Sequence, residues 1–320
     1  MNAVNIENIP SELMEAWEHN PNIIMNPLVN GSAAISQFFR PGFARDKATY
    51  TNVEIFDAIR VAGQDFDPQE AIKFGVRKVQ LEDYDIDLMI TRDAIKNFSR
   101  SYLGVMLNTR EKTEIERQDF PAYMLQQIIT SQFGFLYRDG AWKGVRAVAG
   151  RKSGNSVTGL LEKLTVGRAT GGDILPGQVH TSAVLTEQNA YEEVNAVAEL
   201  VRANNSELLN QPLEARMSAD TYLKYKRNRR ALFSQHVSPS ELPTVLDDFS
   251  NIRLVQEPAL AGKDTIVIAS PEMFRFTSNE NVGDYALSMV KDVKGWKFNL
   301  HFSLCFDYAY GKQVYLNDKV

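Results

Sequence analysis

Cysteine is almost absent from this chain: Cys305 is the single one in 320 residues. An intrachain disulfide and a cysteine-based metal site are therefore excluded, and a reducing compartment is expected. An excess of basic charge is also missing. The formal net charge is −5, so any contact with nucleic acid or an anionic membrane must be a local patch. No run of about 18 apolar residues occurs, which argues against a membrane-spanning helix. Met1–Pro10 lacks the basic start and apolar run of a signal peptide. Solenoid-period repeats and low-complexity tracts are missing too. What remains is the composition of a soluble globular protein, 44% apolar and 23% charged. The length suffices for one large or two modest domains with a real core.

Catalytic signatures are equally scarce. His19, His180, His236 and His301 lie far apart, and none belongs to an H-E-x-x-H pair. There is no G-x-S-x-G elbow, and no G-x-G-x-x-G follows a strand. Within the glycine-rich stretch Gly140–Gly159, Gly150–Gly154 (GRKSG) fails as a phosphate loop, with Val145 in place of the first glycine and Arg151 in place of the lysine, and a flexible loop is expected there. Asp83, Asp85 and Asp87 invite a calcium reading, but Leu88 and Ala94 stand where an EF-hand needs glycine and glutamate. Cys305 falls mid-strand and reads as a packed thiol. No catalytic, cofactor-binding or metal-binding residue is assigned, which points away from an enzyme.

The strongest positive signal is the segment Phe120–Gly144. Leu125, Ile129, Phe133 and Leu136, broadened by Ile128 and Tyr137, form the stripe of a core-facing helix. Asp119 is its expected N-cap, Pro121 fits the first turn, and Asp139–Gly140 should stop it. Before it, residues 1–45 read as a lightly structured arm punctuated by turn dipeptides, with a short helix from Pro10. Its apolar residues Ile23, Ile24, Met25, Phe38, Phe39 and Phe43 must lie either on their own domain or on a neighbouring copy. Residues 47–90 read as a two-stranded excursion, Thr49–Ile59 out and Phe74–Ile90 back, around the polar tip Gly63–Gln69. Thr91 should cap a short helix through Ser101.

After the long helix, Val157–Val166 is a short apolar element. Thr186 should cap a helix over Glu187–Asn204 with the stripe Ala190, Tyr191, Val194, Val197, Ala198 and Val201. Leu213–Met217 is a strand, and Ser218 and Asp220 begin a third helix. That helix ends in Lys224, Lys226, Arg227, Arg229 and Arg230. This basic run is either a solvated helix end complementing the dipole or a contact for a neighbouring subunit or DNA phosphates. Ile252–Glu257 and Thr265–Ala269 are compact strands about an Ala261–Gly262 turn. From Trp296 to Tyr310 every even position is apolar, a period-two run of about 50 Å that is one very long strand or two with a bend. Val314–Leu316 is expected to pair beside it.

This order of elements resembles the major capsid proteins of tailed bacteriophages, the Hong Kong ninety-seven type of fold. The strings that carry the resemblance are RDGAWKG at 138–144, SVTGLLEKL at 156–164, AYEEVNAVAELV at 190–201, LEARMSADTYLKYKR at 213–227, IRLVQEPALAGKDTIVIASPEMFRF at 252–276 and WKFNLHFSLCFDYAYGKQVYLN at 296–317. The resemblance implies an α+β fold with an N-terminal arm (1–45), an extended β-loop (46–90) and a peripheral domain (91–167 and 276–320) built on a spine helix at 120–139. The axial domain would be 168–275. It implies a structural protein with no cofactor, assembling with copies of itself in hexamers and pentamers into an icosahedral shell around double-stranded DNA. Portal, scaffolding and decoration proteins are further implied partners, and the virion, assembled in the host cytoplasm, is the implied location. Residues 1–45 do not resemble a scaffolding segment, and no crosslinking pair is assigned. The competing readings are an encapsulin-like compartment, an α+β enzyme with a dispersed site, and a tail or decoration protein.

Overall fold

A computed structural model describes residues 33–55, 72–108, 120–233, 243–279 and 286–320. The expected Pro10 helix, the Gly63–Gln69 tip and the Asp119 cap lie outside the described residues. In chain order the elements are α1 (Ala33–Phe38), β1 (Arg40–Ala44), β2 (Lys47–Ile55), β3 (Ile72–Gln80), β4 (Glu82–Thr91), α2 (Arg92–Asn108), α3 (Phe120–Phe135), α4 (Leu160–Gly167), β5 (Val179–His180), α5 (Ala190–Asn204), β6 (Leu213–Met217), α6 (Ala219–Leu232), β7 (Ile252–Gln256), β8 (Ile266–Ala269), β9 (Phe274–Asn279), β10 (Ala286–Asp292), β11 (Gly295–Tyr308) and β12 (Tyr315–Asn317). They fall into two compact units. One takes the described part of Met1–Arg45 with Leu81–Leu160 and Phe276–Phe306; the other takes Asp46–Gln80, Leu161–Arg275 and Asp307–Val320.

The first unit is built on α3 and a five-stranded sheet of order β1-β9-β11-β10, with β4 also on β11. The expected stripe of α3 is buried in full, from Leu125 to Tyr137. The helix does not stop at Asp139–Gly140 but widens into a π-turn over Leu136–Ala141. Phe133 meets Phe302 of β11 edge-on at 5.7 Å, which places the apolar face of the strand under the helix. β11 is one continuous strand. Where β10 and β4 flank it, Lys297 is exposed and Asn299 and His301 are half-buried; from Ser303 onward both faces are buried. The half-solvated pattern thus gives way to that of a strand covered on both sides.

Several expectations for this unit change. The return leg Phe74–Ile90 is not one strand: it breaks at Leu81, and β4 pairs antiparallel with β11. Asp83, Asp85 and Asp87 therefore face Ser303, His301 and Asn299 across that ladder, bonded at 2.6, 2.9 and 2.8 Å. Thr91 does cap α2, accepting from the Ala94 amide at 3.2 Å, but the helix runs beyond Ser101 to Asn108. The segment Gly140–Gly159 is pinned rather than slack. Gly144 N donates to Gly140 O, Val145 N to Gly154 O and Gly159 N to Gly144 O. A Cβ on Gly159 would stand 2.5 Å from Trp142 O, so the glycines permit close backbone packing. At the described end of the arm, Phe38 and Phe39 are buried in their own unit. Phe38 stacks on Tyr137 at 6.0 Å, and Phe39 meets Trp142 and Phe306 at 5.8 and 5.2 Å.

The second unit centres on a five-stranded sheet of order β5-β12-β8-β6-β7. One face is packed by α5 and α6. Val194, Val197 and Val201 meet a core that includes Ala215, Met217, Ile266, Ile268, Tyr225 and Tyr315. The sheet is mixed: β6 runs parallel to β7 and antiparallel to β8. Ser218 caps α6 as its sequence predicts, accepting from Thr221 N at 3.1 Å. α5 begins later than expected, at Ala190, because Thr186 bonds Asn189 Oδ1 in a preceding turn. β12 does not lie beside the long strand; it pairs with β8 and β5 in this sheet. β2 and β3 form a separate two-stranded antiparallel ribbon.

Candidate assembly surface

The described part of the ribbon is thinly covered by its own unit. Its inner end is packed. Ala48 and Val79, opposite each other in register, are both buried. The next inward-facing pair is Tyr50 and Arg77. The Arg77 guanidinium donates to Asp173 Oδ2 and Asp307 Oδ1, both at 2.9 Å, and lies 3.9 Å from the Tyr308 ring centroid. The Tyr308 hydroxyl donates to Asp173 Oδ1 at 2.6 Å. Arg275 sits over Tyr50 at 5.8 Å.

Beyond this point the ribbon carries large apolar side chains into solvent. Ile72, Phe74 and Val76 are 52%, 70% and 52% exposed. At alternate positions of β3 they share one face, opposite the face that holds Arg77. Three consecutive apolar residues on one face of a marginal two-stranded ribbon form a patch that calls for a cover. The sequence expectation, a single return leg from Phe74 to Ile90, gives no hint of this face, because β3 and β4 have different partners. Arg77 left no local signal, since its partners lie 96 and 230 residues away.

The basic run on α6 is less free than its composition suggests. Lys224 bridges Asp220 and Asp264 at 3.0 and 3.2 Å. Arg229 is held by Asp247 at 2.7 Å, and Arg227 pairs with Glu187. Among the described residues no ion pair holds Lys226 or Arg230; Lys226 is half-buried and Arg230 exposed.

In the first unit an open cleft of about 1320 Å³ is lined by residues of β4, among them Asp83, Asp85 and Asp87, and by Arg138, Arg151 and Lys152. A bonded network anchors its end. Glu82 accepts from Tyr84 at 2.6 Å and from Thr158 at 3.0 Å, and pairs with Arg146 at 2.9 Å. Burial and the Glu82 carboxylate raise the Tyr84 phenol far above its ordinary range. Among the described residues no group of acids, histidines or cysteines is arranged to hold a metal ion, and no described helix is long and apolar enough to cross a membrane. His180 is bonded to Glu193 at 2.9 Å, His301 lies in the β4–β11 ladder, Cys305 is buried, and His19 and His236 fall outside the described residues.

The arm end, ribbon, long helix, long strand and helix-backed mixed sheet define the fold of the tailed-phage major capsid proteins, of α+β class. A chain of the satellite phage P4 procapsid superposes with a TM-score of 0.57 at 12% identity, covering 92% of this chain and 98% of that one. The capsid of Myoviridae phage XM1 gives 0.52 at 12% identity, covering 86% of each. Neither a protein-family model nor a curated protein sequence matches the chain.

Proposed function

We propose that the chain is a major capsid subunit that assembles with its own copies into an icosahedral shell around the double-stranded DNA of a tailed phage. The observation that carries this reading is the stripe Ile72, Phe74 and Val76, exposed among the described residues on a ribbon too thin to be stable alone. Closed shells supply the missing cover by symmetry, each copy offering a ribbon and receiving one. In this reading the sheet backed by α5 and α6 is the axial domain, and α3 with the long β11 is the peripheral domain. The shell is a structural, non-enzymatic assembly of hexamers and pentamers, built in the host cytoplasm for the virion. It is expected to work with portal, scaffolding and decoration proteins. Packaged DNA is met non-specifically, with Lys226 and Arg230 the members of the Lys224–Arg230 run left available for a phosphate or a neighbouring subunit.

Electron microscopy of the purified full-length chain tests this. Closed particles are expected, and they should be lost in Phe74→Asp while the subunit keeps its fold. A wild-type protein that stays dispersed as single copies at high concentration overturns the proposal. Particles loaded with a protein cargo and devoid of nucleic acid would instead identify an encapsulin-like compartment.

A further inference from the structure

The ribbon is joined to its unit by a cluster that no part of the shell reading uses. The Arg77 guanidinium is clasped between two carboxylates and the Tyr308 ring at the last point where the ribbon is covered. The clasp is built to close tolerances. A Cβ on Gly167 would lie 1.9 Å from the Tyr308 hydroxyl, and one on Gly311 would lie 2.5 Å from Asp173 Cγ. Asp307 is almost wholly buried, its side chain 4% exposed. Everything beyond Arg77 on the described part of β3 is exposed or half-exposed.

We propose that Arg77, Asp173, Asp307 and Tyr308 form a proton-sensitive latch that sets the lie of the ribbon, holding it when Asp307 is ionised and loosening it when Asp307 is protonated. The charged and titratable groups facing the latch are Arg77 from β3, Asp173 from the loop after α4, Asp307 and Tyr308 from β11, and Lys163 from α4. Burial raises the Asp307 carboxyl above the ordinary aspartate range, against the pull of Arg77. Arg77 itself stays charged at every accessible pH. The sign follows from linkage. A carboxyl raised in the folded state contributes most to stability when protonated, and that contribution is lost as pH rises through the raised value. Mild acid therefore relieves the burial of Asp307 in the body while removing one of the two anions that hold the ribbon. The ribbon is released without the body being weakened.

The latch stands on the ribbon geometry alone; where the shell reading holds, it regulates how each ribbon is offered to its neighbour. Hydrogen exchange by mass spectrometry on dispersed full-length subunits tests it, comparing ribbon amides 47–55 and 72–80 with body amides 213–217 and 266–269. Arg77→Met should speed ribbon exchange at neutral pH by about tenfold or more, since a charge-assisted bond is lost, with the body strands unchanged. Wild type should show the same selective loosening on mild acidification, after correction for intrinsic exchange, and Asp307→Asn should abolish that pH dependence. Unchanged ribbon exchange in Arg77→Met, or equal loosening of the body strands, overturns the latch. If Arg77→Met does not fold, the wild-type pH series decides, and a ribbon indifferent to acid is a negative result. Because dispersed subunits are used, failure here leaves the shell reading standing, and a chain that forms no shells can still show the latch.

Discussion

The β2–β3 ribbon and the five-stranded sheet belong to the same compact unit, yet they are stabilised in opposite ways. In the sheet, every residue of β6 and β8 is buried, and α5 and α6 cover one face. Pairing and packing reinforce each other there. In the ribbon, the backbone ladder runs from Lys47–Gln80 to Ile55–Ile72, but on β3 burial ends at its root. Its apolar residues Ile72, Phe74 and Val76 face solvent. Backbone pairing alone makes a marginal structure in water, and the described ribbon is held to its unit by the clasp at one end. Similar strand chemistry thus folds the sheet and, in the proposed shell, would serve association in the ribbon.

The sharpest way to break this comparison is to truncate one large apolar side chain in each region. Ile268→Ala opens a cavity in a fully buried strand and should lower unfolding free energy by about 2–5 kcal/mol. Phe74→Ala removes a larger side chain from an exposed site and should change subunit stability by no more than about 0.5 kcal/mol. Chemical denaturation of dispersed subunits measures both. Particle yield should reverse the order, with Phe74→Ala the more damaging per unit of stability lost. A large stability loss in Phe74→Ala would mean that the ribbon is already covered by its own chain.

A smaller effect is expected where ribbon and body meet. Gly167→Ala drives a methyl into the Tyr308 hydroxyl, 1.9 Å away, and overpacking of this kind costs about 1–3 kcal/mol. In a Tyr308→Phe background the hydroxyl is gone, so the alanine should cost measurably less. The non-additivity in a double-mutant cycle is the readout. Additive losses would place the strain elsewhere.

The sheet was far more legible in the sequence than the ribbon, for a physical reason. Periodicity reports burial against the chain's own core. The stripes of α3 and α5, the strand Leu213–Met217, the Ser218 cap and the alternation from Trp296 onward were readable because each is satisfied locally or by an amphipathic face. The break at Leu81 was not, because β3 and β4 are both β-rich and nothing in their spacing marks a change of partner. The π-turn after Phe135 and the pairing of β12 with β8 depend on contacts distant in sequence. The arm illustrates the converse: the sequence left Phe38 and Phe39 to lie on their own domain or on a neighbouring copy, and Trp142, Tyr137 and Phe306 cover them within their own unit. Of the assembly surface, the basic run was visible as composition, but composition does not show which cations are already paired.

That last distinction gives the smallest expected effect. Five cations end α6, and three of them, Lys224, Arg227 and Arg229, are bound by acids of the same unit. An anion approaching these must compete with carboxylates already in place, so they contribute little to an external contact. Among the described residues Lys226 and Arg230 have no such partner, and they sit in the final turns, where a cation also complements the helix dipole. Replacing both with Ala should leave unfolding free energy within about 0.5 kcal/mol of wild type. If this end of α6 meets packaged DNA, the salt dependence of DNA retention should weaken by an amount set by two lost phosphate contacts. The same pair of substitutions at Lys224 and Arg229 should instead be felt in stability, through the orphaned Asp264 and Asp247, with little change in the salt slope. Equal salt responses from the two pairs would show that the internal ion pairs open on contact, and that burial within the subunit does not determine which cations face outward.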